Sequence, residues 1–309
     1  MSFTAEIKQE VSYNELKECC TRAELSALLQ MTSSLTISRQ NLGLLITSQN
    51  PTTSKRIMIL LKKLYDVDTE LRVYQKSNLR KNNVYEILVS NNVKEILTDI
   101  GIYSENGLSS YPRYEIVKKE CCARAYIAGV FLAYGSCNSP TTSNYHLEMT
   151  TSDESSAAFL IRQLKRFNIE AKCSKRRGKD VIYLKKADAI SDFLRCIGAH
   201  ESLMNFENSR ISRDFKNSVV RLGNCEIANA EKSFKASSKQ LEAIEKIEKN
   251  IKDINPKLKE IMDLRKQFPD ESLATLALEY ERIYHIRISR SGLKHRLDKI
   301  LEMAEDIND

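Results

Sequence analysis

Apolar positions along the first two thirds of the chain follow a pattern that is written twice. KECCTRAELSALLQMTSS at residues 17–34 and KECCARAYIAGVFLAYGS at residues 119–136 each step through apolar residues at helical spacing behind a charged start, and each ends in small residues. A strand-like run follows each helix, GLLITSQN from Gly43 and YHLEMTTSD from Tyr145. Next comes a helix with three- and four-residue apolar spacing, KRIMILLKKLYDV from Lys55 and AAFLIRQLKRFNI from Ala157. Two β-like runs then flank a basic polar tip, ELRVYQKSNLRKNNVYEILV against EAKCSKRRGKDVIYLKK. Each copy closes on a short helix and a glycine, VKEILTDIGI and ISDFLRCIGA. The chain therefore reads as two tandem α-β-α-β-β-α units, an α+β arrangement in which helices cover one face of a sheet.

Two copies in one chain can pair about a pseudo-two-fold axis. Ser26-Ala27 and Ala128-Gly129 hold equivalent places in the repeated helices. Gly129 costs about 1 kcal/mol relative to alanine inside a helix, so its presence predicts close approach of the two helix backbones. The boundaries expected are 1–208 for the repeat domain, with copies at about 1–105 and 113–208, then a basic linker and helix at 209–255 and a helical domain at 256–309.

The last segment has the pattern of three short helices. Pro256 opens PKLKEIMDLRKQF and Pro269 interrupts it. SLATLALEY places Leu273, Leu276, Ala277 and Tyr280 on one side, and SGLKHRLDKILEMAE, capped by Ser289 or Ser291, places Leu293, Leu297, Ile300 and Leu301 on another. A final helix that is basic at its start suits a helix-turn-helix, whose last helix enters the major groove of DNA by its N-terminal end. The residues expected to face DNA are Ser289, Arg290, Ser291, Lys294, His295 and Arg296.

Composition sharpens this picture only locally. The formal net charge of +7 is spread over 309 residues, but residues 162–186 hold ten Lys or Arg against two acids. Secondary backbone contacts are expected from the hairpin tips, through Lys76, Arg80 and Lys81 in one copy and Lys175, Arg176, Arg177 and Lys179 in the other, and from Arg210, Arg213 and Arg221 beyond them. No apolar run reaches the roughly 20 residues a membrane helix needs, which points to a cytoplasmic protein, and the expected DNA contacts would make it nucleoid-associated. The eight cysteines are expected to be free thiols in such a reducing compartment. Adjacent cysteines on a helix point about 100° apart, and with no CxxC spacing and four histidines no metal or cofactor is expected.

IAGVFLAYG at residues 127–135 resembles, letter by letter, the LAGLIDADG signature of homing endonucleases, whose two repeats form a saddle of sheets on duplex DNA. In that family the acid just before the glycine binds the metal used for phosphodiester cleavage. The matching positions here are Thr32 and Tyr134, neither of which can supply the anionic oxygen that a hard cation requires. The resemblance therefore implies the architecture without the enzyme activity.

A narrower resemblance covers the chain end to end. SFTAEIKQEV, the paired cysteines, FLAYGS, the IGA run, NCEIANAEKSFKAS and SRSGLKHRLDKI are similar to the WhiA transcriptional regulators of Gram-positive bacteria. The chain departs from the commoner form at Tyr134, where glycine is usual, and in a longer, less proline-rich turn at ERIYHIRIS. The resemblance implies a degenerate LAGLIDADG-like domain joined to a C-terminal helix-turn-helix, acting in control of sporulation, cell division or chromosome segregation. The expected function is a monomeric, sequence-specific regulator of transcription that binds double-stranded DNA, with RNA polymerase, a sigma factor or another regulator as protein partner. The alternative is a chromosome-associated interaction protein with little sequence preference. A functioning endonuclease is the third and weakest reading.

Overall fold

Side-chain caps set the starts of six of the described α-helices, among them those opened by Ser2, Asn50 and Ser289. The computed structural model describes residues 1–38, 41–75, 83–105, 107–142 and 144–308, which form two compact units, Met1–Ser212 and Arg213–Asp309. In the first, α1 (Phe3–Ser12) begins where Ser2 Oγ accepts the Ala5 amide, and it buries Phe3, Ile7 and Val11 along one stripe. Then come α2 (Glu18–Thr32), β1 (Ser33–Ser38), β2 (Asn41–Ser48), α3 (Pro51–Tyr65), β3 (Thr69–Gln75), β4 (Asn83–Val89) and α4 (Val93–Asp99). Pro51 at the first position of α3 and Asn50 as its cap, accepting from the Thr52 and Thr53 amides, fix that start. Two short strands, β5 (Tyr103–Ser104) and β6 (Gly107–Leu108), and the single turn α5 (Tyr114–Val117) lead to the second copy.

That copy runs α6 (Glu120–Tyr134), β7 (Gly135–Cys137), β8 (Leu147–Thr151), α7 (Glu154–Lys165), β9 (Lys172–Arg176), β10 (Lys179–Leu184) and α8 (Ala187–Cys196). Both sheets are antiparallel and have matching orders, β1-β2-β4-β3 and β7-β8-β10-β9. Even the register repeats: Leu44 faces Val89 and Ile46 faces Ile87 in one sheet, as Leu147 faces Leu184 and Met149 faces Ile182 in the other. All eight side chains are buried, so one face of each sheet closes the core. Each copy also contains a strand directly behind its motif helix, β1 or β7, that the sequence pattern did not show. SSLTIS lacks clear alternation and GSC is three residues long.

The motif helices α2 and α6 form the centre of this unit. A Cβ added to Gly129 would lie 2.6 Å from the Glu24 carbonyl oxygen and 2.8 Å from Ala27 Cβ, so the glycine is required by helix-to-helix contact. Further links join the copies: Tyr126 Oη donates to Gln30 Oε1 at 2.9 Å and Thr53 Oγ1 to the Leu132 carbonyl at 2.8 Å. Within the first copy, buried Arg56 forms a 2.6 Å ion pair with Glu24 and donates to the Ser12 and Asn14 carbonyls. Those bonds satisfy both buried charges.

The next helix, α9 (His200–Asn250), takes in most of the stretch expected to be a linker that becomes helical only near its end. Leu203 and Phe206 are buried near its start and Ala243, Ile244 and Ile247 near its end, whereas Ile211, Phe215, Val219, Val220, Leu222, Ile227 and Phe234 are exposed. The second unit is completed by α10 (Pro256–Gln267), α11 (Leu273–Tyr284), α12 (Arg290–Glu305) and a 3₁₀ turn (Asp306–Asn308). Among the described residues, no helix is long and apolar enough to cross a membrane.

Candidate nucleic-acid interface

Helices α10 to α12 pack around a core of Leu258, Ile261, Met262, Leu276, Tyr280, Leu293, Leu297 and Ile300. Arg265, buried at the end of α10, donates to the Glu271 carbonyl at 2.8 Å and fixes the entry to α11. Ser272 caps α11 by accepting the Thr275 amide at 3.2 Å, and the helix stops at His285, whose φ of 56° is left-handed. The chain then turns through Ile286, Arg287 and Ile288 to Ser289, whose Oγ accepts the Gly292 amide at 3.0 Å and starts α12. The connection is longer than the three or four residues usual in a helix-turn-helix.

This cap orients the first turns of α12. Leu293, Leu297 and Ile300 point into the core, which leaves Ser289, Arg290, Ser291, Lys294 and His295 exposed together. Arg296 departs from that set. It is half-buried, its Nη1 donates to Tyr280 Oη at 3.2 Å, and Tyr280 Oη donates to Glu260 at 2.6 Å. Arg296 thus ties α12 to α11 and α10. Leu301, expected in the stripe, is only half-buried, and Ala304 completes the stripe instead. Arg287, outside the set expected to face DNA, is exposed on the turn three residues before Arg290. Among the described residues neither these two arginines nor Lys294 has an ion-pair partner.

Cations elsewhere are differently placed. Lys76, Arg80 and Lys81 lie outside the described residues. The tip of the β9–β10 hairpin is a two-residue turn at Arg177 and Gly178, with φ of 50° and 76°. Beside it Arg176 pairs with Glu148 at 3.3 Å, Lys175 with Glu154 at 3.6 Å, and Lys179 Nζ lies 5.7 Å from the Tyr134 ring centroid. Arg210 is committed to Asp188 at 2.6 Å within the first unit. Arg213 lies in α9, half-buried, while Arg221 is exposed on the same helix.

Thr32 and Tyr134, at the ends of the paired motif helices, line one cleft of about 620 Å³ with Lys8, Thr47, Ser48, Gln49, Asn50, Ala133 and Gly135. None of these residues is a carboxylate. Thr32 Oγ1 is turned back onto the Leu28 carbonyl at 2.7 Å. Lys8, almost fully buried, donates to the Ala133 carbonyl at 3.5 Å, and burial pushes its pKa down to about 8. An ammonium group where the resemblance would put metal-binding acids repels a divalent cation.

Three family profiles match the chain in order: the WhiA N-terminal LAGLIDADG-like domain at residues 18–103, the WhiA LAGLIDADG-like domain at 123–216 and the WhiA C-terminal HTH domain at 219–304. The chain belongs to the WhiA family. A relative from Brevibacillus brevis, named probable cell division protein WhiA, is 42% identical over 100% of this chain and 98% of its own. One of the same name from Bacillus subtilis (strain 168) is 43% identical over 99% and 97%. The crystal structure of full-length DUF199/WhiA from Thermatoga maritima shares the fold, with a TM-score of 0.62 at 22% identity over 99% of both chains.

One further cluster in this WhiA-family chain unites the two cysteine pairs, which the sequence offers only as separate free thiols. Cys19, Cys20, Cys121 and Cys122 come together at the starts of α2 and α6, with all four sulfurs within 4.8 Å of one another. Burial raises the Cys20 thiol and pushes Cys122 up to about 12. Burial also acts to raise Cys19, but hydrogen bonds from the other three thiols and the Lys119 charge bring it below its ordinary value. Adjacent positions on a helix lie about 100° apart, yet the sulfurs within each pair come to 4.0 and 3.9 Å of each other. The repeat places one pair at the start of each motif helix, and the close helix contact at Gly129 brings the two pairs side by side.

Proposed function

We propose that this protein is a non-enzymatic, sequence-specific binder of double-stranded DNA that regulates transcription of genes for cell division, chromosome segregation or sporulation. The carrying observation is the exposed start of α12, where Ser289, Arg290, Ser291, Lys294 and His295 stand clear of the buried leucine stripe. Arginine and lysine can donate to guanine O6 and N7 in the major groove, and the serines and His295 can hold phosphates. Its relatives' shared name supports a role in cell division. The cleft at Thr32 and Tyr134 supports the absence of cleavage, because it offers no carboxylate to a metal and contains buried Lys8. One helix-turn-helix on a monomer calls for an asymmetric site. RNA polymerase, a sigma factor or another regulator is the protein partner this reading calls for.

The test is affinity selection of the organism's own sheared DNA by full-length protein at near-physiological salt, followed by sequencing. Enrichment of a few intergenic fragments with a short asymmetric motif is expected. Uniform recovery with a steep loss in added salt would instead identify a chromosome-associated interaction protein held by phosphate contacts. Supercoiled DNA incubated with Mg²⁺ or Mn²⁺ should remain uncut.

A further inference from the structure

The repeated KECC motif plays no part in the DNA-binding reading, yet its four cysteines make the densest group of metal-ligating side chains among the described residues. Cys19 and Cys20 are the second and third residues of α2, and Cys121 and Cys122 those of α6. We propose that these four cysteines form a tetrahedral tetrathiolate site for a soft divalent cation of the zinc class, which clamps the two repeats together at their central helices.

The spacing fits a single ion. The sulfurs within each pair lie 4.0 and 3.9 Å apart, and no two of the four are separated by more than 4.8 Å. Zinc–sulfur bonds of about 2.3 Å give a tetrahedron with edges of about 3.8 Å. Small rotations about the Cα–Cβ bonds therefore close the site without moving either helix. A disulfide requires two sulfurs at about 2.05 Å, paired to the exclusion of the others, whereas here each thiol meets thiols of both helices. An iron–sulfur cluster interposes irons and sulfides between its thiolates, and sulfurs this close together leave no room for them.

The surroundings suit a tetrathiolate complex, whose net charge is −2. Lys17 and Lys119 occupy the cap positions of α2 and α6, and neither helix start has a side-chain cap. Both helices thus present free amides and the positive ends of their dipoles beside the sulfurs, which favours the thiolate form. Cys20 and Cys121 border a cleft of about 370 Å³, and Cys121 is exposed, so a cation has a route in. Cys20 and Cys122 are buried and hold the inner half of the site.

The experiment is a titration of metal-free, fully reduced full-length protein with Co²⁺. One equivalent should produce strong sulfur-to-cobalt charge transfer and the visible bands of tetrahedral coordination, and one equivalent of Zn²⁺ should remove both. Cys121→Ser, at the exposed rim, should weaken cobalt binding by tenfold or more, while Cys225→Ser, on an exposed thiol of α9, should leave it unchanged. Zn²⁺ should raise the melting temperature of the parent protein and fail to raise that of a Cys19→Ser/Cys121→Ser double variant. A folded parent protein without sulfur–cobalt charge transfer would overturn the proposal with no recourse to any variant. An unaltered cobalt spectrum in the double variant would also overturn it, as would disulfides joining the two pairs in freshly isolated protein that binds no metal.

Discussion

At the scale of single residues, two glycines in helices should behave oppositely. Gly129→Ala drives a methyl group against the Glu24 carbonyl and Ala27, and should cost about 1–3 kcal/mol by overpacking. Gly223, in α9, has nothing within 4 Å of an added Cβ, so Gly223→Ala should stabilise that helix by up to about 1 kcal/mol. Chemical denaturation of both variants measures the difference, and equal effects would mean that the approach of α2 and α6 is looser than described. Lys8 makes a prediction of another kind. Folded Lys8 loses its proton near pH 8, while an unfolded lysine does so near about 10.4, so between those values the unfolded chain binds more protons and stability rises with pH. Lys8→Met should therefore be more stable than the parent at pH 7, with the advantage shrinking as pH approaches 10. Gly129 was legible in the sequence because a glycine in a helix needs a reason. Lys8 was not, since nothing in SFTAEIKQEV distinguishes its lysine from a solvent-exposed one.

At the scale of elements, α12 separates two kinds of basic residue that look alike in SRSGLKHRLDKI. Arg290 and Lys294 are exposed, so Arg290→Ala or Lys294→Ala should leave the melting temperature of the helical unit within about 1 °C and weaken binding to a selected DNA site by roughly 1–3 kcal/mol. Arg296 is held by Tyr280 and its partner Glu260, so Arg296→Ala should destabilise the unit by about 1 kcal/mol and reduce DNA binding only as far as the fold is lost. Thermal melts paired with fluorescence anisotropy distinguish the two classes. Apolar periodicity identified all three C-terminal helices because Leu276, Leu293, Leu297 and Ile300 recur at helical steps. It could not show that Arg296, off the stripe, reaches across to Tyr280. Nor could it show that in α9 the residues Ile211, Phe215, Val219 and Leu222, which recur at helical steps, stay exposed rather than joining a core.

At the scale of the whole molecule, the two units have separate cores, one centred on α2 and α6 and the other on α10 to α12 with the end of α9. The described residues of α9 between Arg213 and Lys235 contribute no side chain to either core. Cooperativity follows shared burial, so each core should melt as its own two-state unit and the chain should show two calorimetric transitions. Leu297→Ala, which opens a cavity in the second core alone, should lower one transition by about 2–5 kcal/mol of stability and leave the other in place. Duplex DNA carrying a selected site should raise the same transition that Leu297→Ala lowers, because a ligand stabilises the unit that binds it. If DNA instead raised the transition that Leu297→Ala leaves alone, the repeat domain would be the principal DNA-binding surface and α12 would be secondary. A rise in both would show that the sheets and the helix-turn-helix bind one duplex together.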